Sequence, residues 1–129
     1  VAVLLPGTSF YLRKTEHAPG RAMIDAGVAV ALATDLNPGS SLTESLPMIL
    51  TLACLQCGLT PAEALRAATY NAACALGRGA EIGSLELGKQ ADFVVWNAPS
   101  WRYLPTHFGV SLARAVYKRG ALAWTAEAS

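Results

Sequence analysis

Two short, continuous apolar runs in the first third of the chain predict two strands of a parallel sheet. The runs are residues 1–5 and 28–33, and turn-forming residues bound them, as in strands that are buried on both faces. Between them, residues 21–26 place apolar side chains on one face of a helix, and Gly27 is a suitable helix stop. We expect residues 6–9, Pro-Gly-Thr-Ser, to end the first strand as a turn. The pattern therefore predicts a strand–helix–strand unit with parallel strands.

The apolar positions of the middle third follow helical spacing, and the sequence marks where the helices begin. A first helix is expected to open at Thr43 or Ser45 and to run to about Gln56. Residues 60–63, Thr-Pro-Ala-Glu, predict the start of a second helix, because they combine an N-cap threonine, a proline in the first helical position and the glutamate of a capping box. Residues 69–71 are expected to interrupt this helix before one or two further turns.

The last part of the chain changes to the shorter apolar runs that are typical of strands. Residues 91–96 predict one strand. Residues 113–117 and 121–124 predict two more, joined as a hairpin at 118–120. Residues 101–108 are expected to form an irregular aromatic loop. The chain thus divides into an α/β part followed by a small, mostly β part.

Composition and charge exclude several classes of function. The 129-residue chain is 53% apolar and 15% charged, which indicates a well-buried core rather than disorder. A net charge of +1 gives no reason to expect a nucleic-acid partner. No apolar run approaches the roughly 18 residues that a membrane span requires, and no signal-peptide pattern opens the chain. The three cysteines are an odd set, which favours reduced thiols in a cytoplasmic protein.

The beginning of the chain indicates a piece of a larger protein. The first residue is Val1 rather than methionine, and it already lies within the first predicted strand. Two parallel strands would leave open edges on both sides, and a complete α/β barrel takes about 250 residues. We therefore expect a fragment whose barrel lies mostly upstream of Val1.

The most promising candidate for chemistry is Asp35, which comes directly after the second apolar run. In α/β barrels the active site is built from the carboxyl ends of the strands and the loops that follow them. Asp35 stands at such a position and is followed by residues 37–41, Asn-Pro-Gly-Ser-Ser, which form a turn. Aspartate is also a common turn residue. From its position alone, Asp35 is equally compatible with catalysis and with a purely structural role.

The other residues with reactive side chains favour structural interpretations. Cys54 and Cys57 are spaced like half of a metal site, but the sequence contains no second cysteine pair and no nearby histidine. His17 and His107 lie far apart in predicted loops and form no paired metal-binding motif. Asp92 stands at the start of a predicted strand, where its carboxylate is expected to cap the backbone of a turn.

Three segments of the sequence resemble the imidazolonepropionase family, which belongs to the metal-dependent amidohydrolase superfamily. They are LLPGTSFYL, RAMIDAGVAVALATDLNPGSS and GSLELGKQADFVVWNAPSWRYLPTHFGV. The resemblance is to the C-terminal third of that family and covers essentially the whole chain. The TDxNPGSS turn is fairly specific to the family, whereas the GxLxxGKxADFVV pattern is shared by many amidohydrolases.

The resemblance implies an α/β fold built from the end of a TIM-like barrel. Residues 1–78 would supply the last two βα units of the (β/α)₈ barrel, and residues 79–129 the C-terminal strands of a small composite β-sandwich. It also implies a single zinc or iron ion, a homodimer, and the histidine-degradation reaction of the family. In that reaction the cyclic amide of 4-imidazolone-5-propanoate is hydrolysed to N-formimidoyl-L-glutamate.

The resemblance also implies roles for individual residues. Asp35 corresponds to an aspartate that binds the metal, takes the proton of the attacking water and then passes it to the leaving nitrogen. Asn37, Gly39 and Ser40 correspond to the turn that contacts the substrate.

The chain departs from the family by what it lacks. The HxH pair, a further metal-binding histidine and the substrate-binding Arg, Tyr and His of the family have no counterpart in it. We therefore expect the isolated chain to be inactive.

The sequence is also compatible with two other functions. One is another amidohydrolase, such as a cyclic amidase or a nucleobase deaminase, although the turn after Asp35 argues against it. The other is a non-catalytic module that pairs its exposed edges with a partner.

Overall fold

The computed structural model describes residues 1–126, and it begins with the predicted parallel strand pair. Strand β1 (Ala2–Leu4) pairs with β2 (Val30–Leu32) in parallel, in the register Ala2 to Val30 and Leu4 to Leu32. All three residues of β2 are buried. Both strands are shorter than their apolar runs, and they form a sheet of two strands. The parallel strand pairing predicted from the sequence is therefore confirmed.

A helix follows β1 directly, at the place where the sequence predicted a turn. Helix α1 (Pro6–Tyr11) begins with its proline in the first helical position, where the missing N–H costs no hydrogen bond. The prediction of a turn at residues 6–9 was wrong, because proline is also favoured in the first turn of a helix, and tertiary packing around Gly7 supports the helix here. Helix α2 (Gly20–Asp25) then leads back to the sheet, and Gly27 adopts the left-handed backbone expected of a helix stop (φ +78°).

The helix starts of the middle third agree with the sequence prediction. Helix α3 (Leu46–Gln56) is capped by Ser45, whose hydroxyl accepts a hydrogen bond from the Met48 N–H. Helix α4 (Pro61–Ala68) has the complete capping box of Thr60 and Glu63. The helical conformation is interrupted at Thr69, and helix α5 (Tyr70–Ala75) follows.

The end of the chain forms a three-stranded antiparallel sheet. Its strands are β3 (Phe93–Trp96), β4 (Ala113–Lys118) and β5 (Ala121–Thr125), in that order. The two residues between β4 and β5, Arg119 and Gly120, both have positive φ (52° and 78°), as a two-residue type I′ hairpin turn requires. The predicted hairpin is confirmed.

One core joins residues from both halves of the sequence. Strands β1 and β2 pack against α3 and α4 through side chains that include Leu4, Val30, Ile49 and Ala64. Leu104, which directly follows the short 3₁₀ helix Trp101–Tyr103, enters the same cluster, and only 2% of its surface is exposed.

The loop that carries Leu104 is also held by a polar contact. The hydroxyl of Thr51 on α3 donates a buried hydrogen bond to the carbonyl of Pro105 (2.8 Å).

The described residues have an α/β architecture with two small sheets. Closure into a barrel, completion of a sandwich and a domain boundary near residue 78 remain predictions, and residues 127–129 of the proposed second part lie outside the described chain. Among residues 1–126, no helix has the length and apolarity that crossing a membrane requires.

Candidate functional site

Asp35 stands just beyond the carboxyl end of β2 in a strained backbone conformation. Strand β2 ends at Leu32, and Asp35 has a φ of +52°, in the left-handed region. A residue other than glycine seldom adopts this conformation, although Asp and Asn tolerate it better than most. Such strain is often found at functional sites, where the surrounding structure enforces it. Its position at the strand end agrees with the sequence prediction.

Two side chains hold the backbone on either side of this strained residue. The Asn37 amide nitrogen donates a hydrogen bond to the Asp35 carbonyl (2.6 Å). The Ser41 hydroxyl, which is buried, donates one to the Thr34 carbonyl (2.6 Å). The backbones of Asn37 and Ser41 also pair with each other across the turn. The peptide groups around Asp35 are therefore fixed by residues of its own turn.

The same asparagine organises the rest of the turn. Its Oδ1 accepts hydrogen bonds from the backbone N–H groups of Gly39 and Ser40 (both 2.9 Å) and from the Ser40 hydroxyl (3.2 Å). The structure thus brings together all four predicted site residues. One hydrogen of the Asn37 amide and the lone pairs of the Ser40 hydroxyl are not used by these bonds. Substrate contact by Asn37, Gly39 and Ser40 stays a prediction.

Thr8 is a site residue that the sequence interpretation missed. Its hydroxyl donates a hydrogen bond to Oδ2 of Asp35 (2.7 Å), although the two residues are 27 positions apart. Thr8 lies in α1, directly after β1, and Asp35 follows the parallel strand β2. Since the carboxyl ends of parallel strands lie at one edge of a sheet, this shared position was the signal that could have identified Thr8.

Gly7 allows α1 to approach the turn closely enough for this contact. A Cβ atom at Gly7 would lie 2.8 Å from Cδ1 of Ile49 and 3.2 Å from Oγ of Ser41. The first distance is shorter than real side chains show, so either the Ile49 side chain or α1 would have to shift to accommodate a larger residue. The close packing of α1 against Ile49 and Ser41 therefore suits a glycine next to Thr8.

The chemistry of Asp35 is suited to a metal ion, but it would be one ligand among several. Among the described residues, Thr8 is the donor to this carboxylate, at Oδ2, and Oδ1 accepts no hydrogen bond. Asp35 is half-buried, and a carboxylate in such a position is a common ligand for zinc or iron. Within residues 1–126, no three His, Cys, Asp or Glu side chains lie close enough to hold an ion.

The other residues with reactive side chains lie outside this site. Cys54 and Cys57 are free thiols, and burial raises the pKa of both, so they stay protonated and serve as core residues. The ring of His107 is tilted against Tyr103, with 4.9 Å between the ring centres. His17 lies in the loop between α1 and α2. These placements agree with the structural interpretation of the sequence.

Asp92 caps a turn, as predicted, but the turn belongs to the distant hairpin. Its Oδ1 accepts a hydrogen bond from the Arg119 N–H (2.8 Å), and its Oδ2 forms an ion pair with Lys118. The pKa of Asp92 is lowered to about 2, mainly by Lys118 and also by the Arg119 backbone N–H. The Gly-Lys-Gln-Ala-Asp segment, residues 88–92, is therefore a structural connection rather than part of the candidate site.

Comparison with known proteins assigns the class of protein that this fold and site define. A model of the amidohydrolase family matches residues 3–119, and the chain belongs to this family. Within the family it is similar to curated imidazolonepropionases. It is 57% identical over 120 residues to that of Geobacillus sp. (strain WCH70) and 50% identical over 125 residues to that of Bacillus cytotoxicus. These matches cover 93% and 97% of the chain but 28% and 30% of the relatives. The chain thus spans less than a third of their length.

Solved structures of several enzymes are similar in fold over nearly the whole chain. An adenosine deaminase from Xanthomonas campestris with bound zinc superposes with a TM-score of 0.81 and 27% identity, over 93% of this chain and 31% of its own. Atrazine chlorohydrolase from Arthrobacter aurescens TC1 in complex with zinc gives 0.81 and 26%, over 93% and 30%. Guanine deaminase from E. coli, at 23% identity and a TM-score of 0.77, supports the fold alone.

Proposed function

We propose that this chain is part of an enzyme that hydrolyses the cyclic amide of 4-imidazolone-5-propanoate to N-formimidoyl-L-glutamate. The observation that carries the proposal is the Asp35 carboxylate, held at the end of a parallel strand by its Asn-Pro-Gly-Ser-Ser turn. The identity of 57% to an imidazolonepropionase favours this member of the family over the deaminases, which are at most 27% identical among the structures compared above.

Asp35 is the proposed metal ligand and proton carrier. A zinc or iron ion bound there would supply the positive charge that lowers the pKa of a water molecule. The Asp35 carboxylate takes the proton of the attacking water and later gives it to the ring nitrogen as the C–N bond breaks. Oδ2 accepts a hydrogen bond from the Thr8 hydroxyl, and Oδ1 is therefore the oxygen left for the ion. The zinc in the two related structures supports zinc as the first ion to test.

The turn after Asp35 is the proposed contact for the substrate. The free amide hydrogen of Asn37 can donate to a carbonyl or carboxylate oxygen, and the Ser40 hydroxyl can accept from a ring N–H. Gly39 is exposed and has no side chain, so a ligand can approach its backbone closely. These groups are suited to the polar ring and the propionate of the proposed substrate. We further propose a cytoplasmic homodimer, as the resemblance to the family implies.

A chimera provides the direct test. In the chimera, this chain replaces the segment that it matches, over 120 residues, in the imidazolonepropionase of Geobacillus sp. (strain WCH70). All variants below are made in this chimera. We expect the zinc- or iron-loaded chimera to consume 4-imidazolone-5-propanoate, which is measured by the loss of its ultraviolet absorbance and by the appearance of N-formimidoyl-L-glutamate. Guanine and adenosine serve as alternative substrates, and we expect no turnover of either.

The controls separate the contribution of the chain from that of the relative. The unaltered relative is assayed in parallel, and so is the isolated chain, for which we expect no activity. A folded, metal-loaded chimera without turnover would contradict the proposal, as would faster turnover of guanine or adenosine than of the imidazolone.

A further inference from the structure

The two oxygens of the Asp35 carboxylate have different surroundings. Oδ2 accepts the Thr8 hydroxyl at 2.7 Å, whereas Oδ1 accepts no hydrogen bond from any described residue. A carboxylate in this state has one oxygen that is fixed and one that is available to a ligand. Hydrogen bonds of this kind orient metal ligands and increase their affinity for the ion.

Thr8 fixes a degree of freedom that the other contacts leave open. Asn37 and Ser41 hold the carbonyls on the two sides of Asp35, so they determine the direction of its Cα–Cβ bond. Neither of them donates a hydrogen bond to the carboxylate, which could still rotate about its two side-chain torsions. The Thr8 hydroxyl is the described contact that restrains this rotation.

The position of the Thr8 hydroxyl is itself well determined. Thr8 is the third residue of α1, whose start is fixed by the buried residues Pro6 and Gly7. Gly7 packs against Ile49 of α3 and against Ser41 of the turn. The donor is therefore packed against the same turn that holds the backbone of Asp35.

We propose that Thr8 is a positioning residue that orients the Asp35 carboxylate and directs Oδ1 toward the metal ion. The proposal rests on the function proposed above, since it assumes that Asp35 binds metal. Thr8 has no direct contact with the substrate in this scheme. Its loss should weaken metal binding and slow the chemical step, while the substrate affinity stays nearly unchanged.

The test compares substitutions of Thr8 in the chimera, with zinc affinity as the first readout. Thr8→Val keeps the shape of the side chain and removes the donor, whereas Thr8→Ser keeps the donor and removes the methyl group. We expect Thr8→Val to raise the dissociation constant for zinc at least about tenfold, measured by competition with a chromophoric chelator, and Thr8→Ser to stay within about threefold of the parent. The kcat of Thr8→Val should fall at least about tenfold with little change in KM.

Further variants distinguish positioning from a general effect on the fold. Ser9→Ala, on the same helix, is the matched control and should leave zinc affinity unchanged. If Thr8→Val does not fold, Thr8→Ala removes the same donor and replaces it in the comparison. Parental zinc affinity in the folded variant without the donor would overturn the proposal. An equal loss in Thr8→Ser or Ser9→Ala would also overturn it, because packing would then be the cause.

Zinc affinity also separates this proposal from the proposed function. A chimera that binds zinc through a Thr8-dependent site but does not hydrolyse the imidazolone would refute the substrate assignment and support the positioning role. A chimera that hydrolyses the imidazolone with the same zinc affinity and kcat in Thr8→Val would do the reverse.

Discussion

At the scale of single residues, Asp35 combines a strained backbone with a carboxylate that is a candidate for catalysis. Its left-handed conformation costs energy, and the hydrogen bonds from Asn37 and Ser41 compensate for this cost. A site that presents a carboxylate at the end of a buried strand can hold that residue in a strained conformation. The turn residues therefore have a structural role that stands independently of their proposed contact with the substrate.

Replacing Asp35 should separate the chemistry from the fold. Asparagine tolerates the left-handed backbone and can still accept the Thr8 hydroxyl, so Asp35→Asn should leave the chimera folded. It cannot take a proton from water, and we expect turnover to fall by about 10²–10⁴-fold or more. The measurement is the steady-state rate, with circular dichroism as the test of folding. The control is Leu36→Ala, which changes the exposed neighbour. Unchanged activity in Asp35→Asn would refute the role of Asp35.

Gly7→Ala should be destabilising, although alanine is normally the better helix former. The added Cβ would lie 2.8 Å from Ile49, so the core must shift, and overpacking of this kind costs about 1–3 kcal/mol. Urea unfolding of the chimera measures the change. The matched control is Gly39→Ala, whose Cβ would be 3.4 Å from the Asn37 amide oxygen and should have a small effect on stability. A more stable Gly7→Ala variant would show that α1 is free to move.

At the scale of elements, the start of α4 combines a local signal with a distant one. The Thr60 and Glu63 capping box is formed by residues three apart and follows directly from the sequence. The same Glu63 carboxylate also accepts Arg21 Nη1 (2.8 Å), which lies in α2. The capping box was predictable because all of its atoms are close along the chain. The ion pair depends on how α2 packs against α4.

The stability that Glu63 contributes should depend on pH. Arg21 and the Thr60 backbone N–H lower the pKa of Glu63 to about 2, from an ordinary value of 4.5. The native state therefore favours the ionised carboxylate. Its contribution is complete above the ordinary pKa and is lost as the pH falls toward about 2.

Glu63→Gln tests this dependence. We expect the variant to be less stable than the parent chimera near pH 6, by roughly 1 kcal/mol because the cap is weakened. The difference in the free energy of unfolding should shrink between about pH 5 and pH 2. The exposed Glu16, replaced by Gln, is the control. A difference that stays constant across this range would contradict the linkage.

At the scale of the whole molecule, the two sheets are connected through the core and through residues 88–92. Leu104 places a side chain from the second half of the sequence among the helices of the first half. Lys89 lies 5.0 Å above the ring of Tyr70 in α5 and forms an ion pair with Glu86. Asp92, three residues further on, caps the hairpin between β4 and β5. Residues 88–92 therefore form a structural link between α5 and the hairpin.

Leu104→Ala should reveal how strongly the second half of the chain depends on this core. Only 2% of the surface of Leu104 is exposed. Truncating a buried leucine to alanine costs about 2–5 kcal/mol. We expect a loss of this size in urea unfolding of the chimera. Phe108→Ala changes a side chain that is 64% exposed in the same loop and should cost much less. Equal effects of the two substitutions would show that Leu104 is not a core residue.

The sequence by itself determined the features whose causes are local. The capping box, the hairpin turn at Arg119 and Gly120, and helix α2 before β2 all arise from residues that are neighbours along the chain. It also identified Asp35 as a candidate, because a carboxylate after a buried apolar run is visible without any structure.

Tertiary structure alone decided which distant residues meet. The helix after β1 replaced a predicted turn, because Gly7 can pack against Ile49 and Ser41, and these residues are far away in sequence. The same packing brings the Thr8 hydroxyl to the Asp35 carboxylate across 27 positions. No local pattern encodes such a distance, since it depends on how two strands align and on how closely a helix approaches them. Asp35 was therefore readable from the sequence, and its partner Thr8 became visible only in the fold.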